Sequence, residues 1–305
     1  MSTAVAPVPA EPSPPGQSEL AELRPGDALD GVLACVRKDR LTTRTGSPYL
    51  SLELRDRTGS LPARVFGDAD FHAARFERGD LVRVAGRVER FRGDTQVELT
   101  AIRRADPGEA DPTAFLPVAY RDLDELDGFL EHLAAEVHDS DLRRLLDAFL
   151  ADAALRAELR RAPCTRAGHH AYLGGLLEHT VAVTTLAHET CTLHARLRPD
   201  LLIAAAILHD IGKTREFALG AEIALSEEGR LVGHLALGHR LVVERIGSLG
   251  DFPTEKALAL EHCILGHHGP EQLPGRRFGS GEAVALHRLN AVDASVKGAL
   301  EHGLG

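Results

Sequence analysis

The sequence has no tryptophan, a single methionine and only three tyrosines, and its four cysteines are scattered. Cys35, Cys164, Cys191 and Cys263 form no CxxC pair. That spacing excludes a disulfide scaffold and a thiolate zinc site, so the thiols read as small core residues in a reducing compartment. No apolar run approaches a membrane span, and the N-terminus lacks the basic-then-apolar order of a signal peptide. Both absences point to a cytoplasmic protein with no membrane partner. Lysine is scarce too. The bias towards arginine and against tryptophan is one that base composition accounts for as readily as function.

What is present divides the chain. The formal net charge of −10 is unevenly spread over the 305 residues. Lys and Arg outnumber Asp and Glu between residues 20 and 105, whereas the remainder is acidic and holds most of the sixteen histidines. A mildly basic front and an acidic, histidine-rich back suggest two jobs. Residues 1–19, with APVPAEPSPPGQS at their centre, have the composition of a disordered tail.

From 20 to 105 the hydrophobic period is two. Leu50, Leu52 and Leu54 alternate with Tyr49, Ser51, Glu53 and Arg55. After the turn Asp56-Arg57-Thr58-Gly59, Ala63 and Val65 alternate with Arg64 and Phe66. Gly31–Val36, Asp80–Val88 and Thr95–Ile102 supply three more strands, and a short helix, Ala69–Phe76, separates the third from the fourth. Strand-strand-strand-helix-strand-strand is the order of a five-stranded OB β-barrel. GSPYLSLELRDRTGSLPARVF and FERGDLVRVAGRVERFRGDTQVEL resemble OB domains that bind single-stranded nucleic acid. The outward face of strands two and three then carries Tyr49, Arg55, Arg64 and Phe66, with Arg37, Lys38 and Arg92 on or beside neighbouring loops. Aromatics for stacking among cations for phosphates are what a single strand requires. The plainer alternative puts Phe66 in the core and leaves the arginines to solubility.

Residues 106–164 read as a linker, DPTAFLPV, followed by a connector with helical spacing from Tyr120 to Arg161. From 165 to 305 every segment reads as helix, with breaks near Arg198–Pro199, Lys213–Gly229, Gly250–Pro253 and Gly269–Gly281. The stretch DLLIAAAILHDIGK, Asp200 to Lys213, organises this part. Asp200 can cap a helix that is apolar on all sides, and Gly212 supplies its stop. Yet the helix finishes on His209 and Asp210, which must be hydrogen-bonded, paired or bound to metal if they are buried.

Five further residues fall where a metal site would need them: His179 in GGLLEHT, His234 in LVGHLALGH, His267 and His268 in LGHHG, and Asp293 in LHRLNAVDASV. Imidazole nitrogens with carboxylate oxygens suit Mn, Fe, Zn or Ni rather than Ca, and the lack of thiolates argues against a structural zinc. One carboxylate beside a histidine can bridge two cations, the arrangement used for attack at phosphorus. Asp210 is the candidate bridge, with His179, His209 and Asp293 on one cation and His234 and His267 on the other. His268 is a ligand of the second, a phosphate contact or a partner of a ligand. Lys213 is placed to neutralise a phosphate oxygen, and with Asp210 is the candidate catalytic residue. His188, His194, His239, His262 and His302 read as packing or surface residues. His169 and His170 fit substrate contact and helix capping equally well.

The ordered set HHAYLGGLLEHT, ILHDIGK, LVGHL, GHHG and LHRLNAVDA resembles the HD-domain metal-dependent phosphohydrolases, which are all-helical. Behind an OB domain, the set is similar to the YhaM-type 3′-to-5′ exoribonucleases. The resemblance implies an OB β-barrel followed by an all-α HD domain. It also implies two divalent cations, manganese foremost with Fe, Ni, Zn and Mg as alternatives. The activity implied is release of nucleoside monophosphates from the 3′ end of single-stranded RNA, with single-stranded DNA left open. Two positions depart from the family: Asn290 stands where members often carry an aspartate, and Gly175 where some HD phosphodiesterases place a glutamate for a third metal. Two metals are therefore expected. The competing functions are an HD phosphohydrolase of small or cyclic nucleotides with a regulatory OB domain, and a non-catalytic single-strand-binding protein.

Overall fold

The computed structural model describes residues 19–303; the expected tail, apart from Glu19, lies outside the described residues. The chain forms two compact units, Met1–Pro117 with Leu219–Ile223, and Val118–Ala218 with Ala224–Gly305.

In the first unit, β1 (Ala28–Thr42), β2 (Pro48–Arg55), β3 (Ser60–Val65), β4 (Leu81–Phe91) and β5 (Asp94–Arg104) close a barrel in the order β1-β2-β3-β5-β4. A helix, α1 (Ala69–Ala73), lies between β3 and β4, as the element order predicts. The period-two pattern translates directly into burial. Leu50, Leu52 and Leu54 are fully buried and share a core with Leu33, Val65, Val82, Val84 and Val97. Antiparallel pairing joins β1 to both β2 and β4, and closure comes from the parallel pair of β3 with β5 through Ala63 and Val97. Two expectations fell short at the edges. The first strand runs well beyond Gly31–Val36, because β1 pairs with β4 over its first half and with β2 over its second. The helix ends at Ala73 rather than Phe76, where Lys38 Nζ donates to the carbonyls of both Ala73 and Phe76.

In the second unit, α2 (Leu123–Ala135), α3 (Ser140–Leu150) and α4 (Ala153–Arg161) each begin after an aspartate. Asp122, Asp139 and Asp152 accept hydrogen bonds from first-turn amides, which fixes where these helices start. Their apolar faces share one core with α5 (Gly175–Leu193) and α6 (Pro199–Leu208), Leu126, Leu130 and Leu145 packing in it with Leu177 and Leu202. The connector helices therefore belong to the body of this unit. Helix α6 is buried all round, from Leu201 to Leu208.

Asp200 does not cap α6. Arg198 is the residue before the helix, Pro199 opens it, and Asp200 accepts instead from the amide of His138 at 2.7 Å. Proline at the first position needs no amide partner, so the cap was dispensable.

A short α7 (Lys213–Glu216), a two-stranded hairpin of β6 (Phe217–Leu219) and β7 (Ile223–Leu225), and α8 (Glu227–Leu231) follow. The hairpin falls within the break expected at Lys213–Gly229, where three-residue strands carry too few positions to show a period. Helices α9 (His234–Ser248), α10 (Thr254–Gly266) and α11 (Gly281–His302) complete the unit. No helix among the described residues is long and apolar enough to cross a membrane.

Candidate functional site

The ends of the buried helices converge on Asp210. His209 follows the last residue of α6, and its Nδ1 donates to the carbonyl of Ala206 at 2.7 Å. His267 holds the same place after α10, with Nδ1 donating to Ile264 O at 2.6 Å. Carbonyls in the last turn of a helix can take a side-chain donor, and each imidazole supplies one; Ile264 O also accepts from the amide of His267 at 3.4 Å. His234 opens α9, and its Nδ1 donates to Glu216 Oε1 at 2.9 Å. The partners in all three cases can only accept. A neutral imidazole has one proton, so Nε2 is left as a bare lone pair on each ring.

Those three lone pairs face one carboxylate. His209 Nε2 lies 3.4 Å from Asp210 Oδ2, His267 Nε2 3.3 Å from Oδ1, and His234 Nε2 3.6 Å from Oδ1. Acceptor against acceptor at these distances is repulsive, and Asp210 Oδ1 and His267 Nε2 are buried with no hydrogen-bond partner. Unpartnered buried polar atoms are costly and uncommon. A cation among them would turn every repulsion into a ligand contact, and imidazole with carboxylate is a donor set that transition-metal dications accept. Asp210, His234, His267 and His268 each offer an atom within 4.8 Å of the others. His268 is the exposed member, its Nε2 2.7 Å from that of His234.

The other carboxylate oxygen faces a second set. His179, on α5, places Nε2 3.2 Å from His209 Nε2 and 3.5 Å from Asp210 Oδ2. Its Nδ1 is 2.6 Å from Oδ2 of Asp293 on α11. His169 and His170 complete a four-residue group with His179 and Asp293, again within 4.8 Å. The sequence left these two histidines undecided; the structure puts His170 Nδ1 3.1 Å from His169 Nδ1 and 3.8 Å from Asp293. Burial holds His179 and His267 below the ordinary imidazole pKa and pushes His170 down to about 3, so all three rings are neutral donors.

Lys213 is buried, with Nζ 2.7 Å from Asp210 Oδ2 and 3.4 Å from Cys164 Sγ. Burial opposes its charge, but Asp210 more than compensates and holds the lysine above its ordinary pKa. Burial likewise opposes ionisation of Asp210, and the Lys213 ammonium beside it keeps the carboxyl well below the carboxylate range. Cys164 is thus no anonymous core thiol but a neighbour of this pair, its pKa pushed up to about 12 by burial.

Two glycines are set by close approach. Helix α6 ends four residues before Gly212, which has ordinary helical φ and is no stop. A Cβ at Gly212 would fall 2.0 Å from the carbonyl of His234, so only glycine lets α9 deliver His234 this near to Asp210. At Gly175 a Cβ would fall 2.2 Å from His170 O, which leaves no room for a glutamate there.

Beyond the expected residues, two carry weight that the sequence did not signal. Glu216 is largely buried and accepts from both the amide and Nδ1 of His234. Glu301 accepts from the amide of His170, which sits at a φ of 52°, and so anchors the loop that bears the histidine pair.

On the barrel, Tyr49 and Phe66 stack with ring centroids 5.5 Å apart, and Phe66 is exposed rather than core. The Arg64 guanidinium lies over Tyr49 and, at 4.4 Å, over Phe91. Arg92 covers Phe91 from the Arg92-Gly93 turn, where both residues have positive φ. Phe91 was not among the expected residues. The remaining cations are placed differently. Arg55 donates to Ala221 O, Arg37 pairs with Asp39 in the open, and Lys38 is committed to the end of α1.

An OB-fold nucleic acid binding domain model matches residues 33–104, and an HD domain model matches residues 176–295. A protein of Oceanobacillus iheyensis named 3′-5′ exoribonuclease YhaM is 30% identical over 281 residues, covering 89% of this chain and 85% of that protein. Proteins of the same name from Shouchella clausii and Listeria welshimeri are 29% and 27% identical over 284 and 290 residues. These alignments span 90% and 92% of this chain, and 85% and 89% of the relatives.

Proposed function

This chain belongs to the 3′-5′ exoribonuclease YhaM family and is a hydrolase, and from that premise we propose that it shortens single-stranded RNA from the 3′ end with two divalent cations held around Asp210. The observation that carries the proposal is the convergence of three Nε2 atoms on one buried carboxylate, each from a ring whose Nδ1 is already spent on another acceptor.

Asp210 is shared. Its Oδ2, with His179, His209 and Asp293, would hold one cation; its Oδ1, with His234 and His267, would hold the other. Bound there, the cations supply the charge that makes water nucleophilic near neutral pH and offsets charge on the scissile phosphate. The protein's own part is to aim the ligands. Ala206, Ile264 and Glu216 fix the tautomers of His209, His267 and His234, and Lys213 holds Asp210 in place. His268, exposed at the rim, is the histidine placed to meet a phosphate oxygen. The donor set suits manganese, with iron, nickel, zinc and magnesium as alternatives.

We assign residues 20–105 to holding the strand and 165–305 to hydrolysis, in the cytoplasm. Tyr49 and Phe66 stack bases while Arg64 and Arg92 meet phosphates, with Arg37, Lys38 and Arg55 at the margins. Stacking and phosphate contacts serve ribose and deoxyribose strands alike, so single-stranded DNA is proposed as a second substrate. The test is incubation of 5′-labelled RNA and DNA with and without Mn²⁺, resolved by length. Progressive shortening that stalls at a hairpin stem is expected. Immediate release of the labelled 5′ nucleotide, or cleavage of a circle, overturns the proposal.

A further inference from the structure

Beside the Tyr49–Phe66 stack, the barrel has a depression of about 330 Å³ that includes Ser47, Phe66, Asp68, Asp70 and Phe71 in its lining. It is formed where the β1–β2 turn, the end of β3 and the start of α1 meet. Both phenylalanines are exposed, Phe66 at 42% and Phe71 at 58%. Arg75 lies over the Phe71 ring at 4.4 Å. The two carboxylates differ. Asp70 is bound by Arg40 through two hydrogen bonds. Asp68 occupies the position before α1, where an aspartate ordinarily accepts from first-turn amides, but its side chain makes no such bond. It is held at φ 47°, and among the described residues its carboxylate has no partner.

A free carboxylate repels phosphate, so a pocket lined by it and by aromatic rings is unsuited to the backbone of a nucleic acid and suited to a base. We propose that this pocket is a base-reading subsite of the single-strand face, with guanine as its preferred occupant. The inference rests on the barrel face binding RNA. The base stacks on Phe66, and its Watson–Crick edge turns to Asp68. Guanine presents two adjacent donors there, N1–H and the 2-amino group, which match the two oxygens of a carboxylate. Adenine and cytosine offer one amino donor beside an acceptor. Uracil offers N3–H between two carbonyl oxygens, both of which face the carboxylate and are repelled. Single-stranded bases are read on this edge because they can be splayed out, and a carboxylate accepting from a base amino group is an established pairing.

The experiment uses the full chain with divalent cations withheld, so that RNA is bound but not consumed. Fluorescence anisotropy is measured with oligouridines of about twelve nucleotides, within the site size of one OB barrel. Matched oligomers carry one guanosine, adenosine or cytidine at successive positions. A guanosine at one register should tighten binding about tenfold, the lower part of the range for a good bidentate pair. D68A should abolish that gain. D68N, which tolerates the left-handed backbone, should favour uridine instead, because an amide can donate to a uracil carbonyl. Thermal melting checks that both variants fold. Equal binding of all the oligomers, or a guanosine preference that survives D68A, overturns the subsite while leaving the single-strand face intact. Failure to bind any oligomer removes the face itself, and the subsite with it.

Discussion

Lys213 and Asp210 offer the sharpest test of how the centre is held together. Nζ and Oδ2 are 2.7 Å apart, and the side chains are 7% and 1% exposed. At an effective dielectric of ~20, unit charges at that separation attract by about 6 kcal/mol. Desolvation takes back several kcal/mol per ion, so the pair as a whole is worth little, but breaking it costs about 3–5 kcal/mol. The two ways of breaking it are not equivalent. D210A strands a lysine but removes the carboxylate that faces three lone pairs. K213M strands that carboxylate among them with no positive charge nearby. In metal-free buffer K213M should therefore be the more destabilised variant by urea unfolding. The double variant should recover at least ~2 kcal/mol relative to the sum of the singles. Adding Mn²⁺ should rescue K213M, since a bound cation replaces the ammonium as counter-charge, and should do nothing for D210A. Turnover should be lost in D210A throughout. Additive single effects would show that the two charges do not depend on each other. Hydrolysis by D210A near the wild-type rate in excess Mn²⁺ would end the shared-carboxylate scheme.

E216A should lower cation affinity by about 10–100-fold by freeing the His234 ring, whereas E216Q, which keeps an acceptor oxygen, should lose less; calorimetric titration with Mn²⁺ separates them. Stability of the metal-free protein should fall as pH drops below about 6.5, the ordinary histidine value. His170, held to about 3 by burial, together with His179 and His267 stays neutral in the fold while the unfolded chain takes up protons. The loss continues down to the folded pKa, at up to about 1.4 kcal/mol per pH unit for each ring; a melting temperature flat between pH 7 and 4 would contradict it. Replacing Tyr49 and Phe66 together with alanine should raise the KM for long RNA about tenfold if one full stack is lost, once melting shows the variant folded. An unchanged KM would exclude the stacked pair from substrate binding.

The barrel was legible because strict alternation survives into burial: every second residue of Leu50–Leu54 is fully enclosed. The centre was legible because histidine and aspartate at the end of a wholly apolar helix are anomalous. What the sequence hid was the support. Nothing marks Glu216 as the partner of His234, since they are eighteen residues apart and meet only after a hairpin and a short helix intervene. Gly212 looked like a helix stop because its real constraint, the His234 carbonyl beside it, belongs to another helix. Phe91 was hidden at the very end of β4, beside the Arg92-Gly93 turn, where the run of alternating apolar residues has already stopped.

His209 and His267 each close a helix with one nitrogen and present the other to Asp210. The same ring is thus both a structural plug and a tool, and alanine at either position removes two things at once. A loss of activity in such a variant would confound a frayed helix end with a missing donor. Asparagine divides the roles, because its amide can still donate to the helix-end carbonyl while offering no imidazole lone pair. The arrangement also means that the site is not an addition to a finished scaffold. The helix ends are completed by the residues assigned to the cations, so drift in one is constrained by the other.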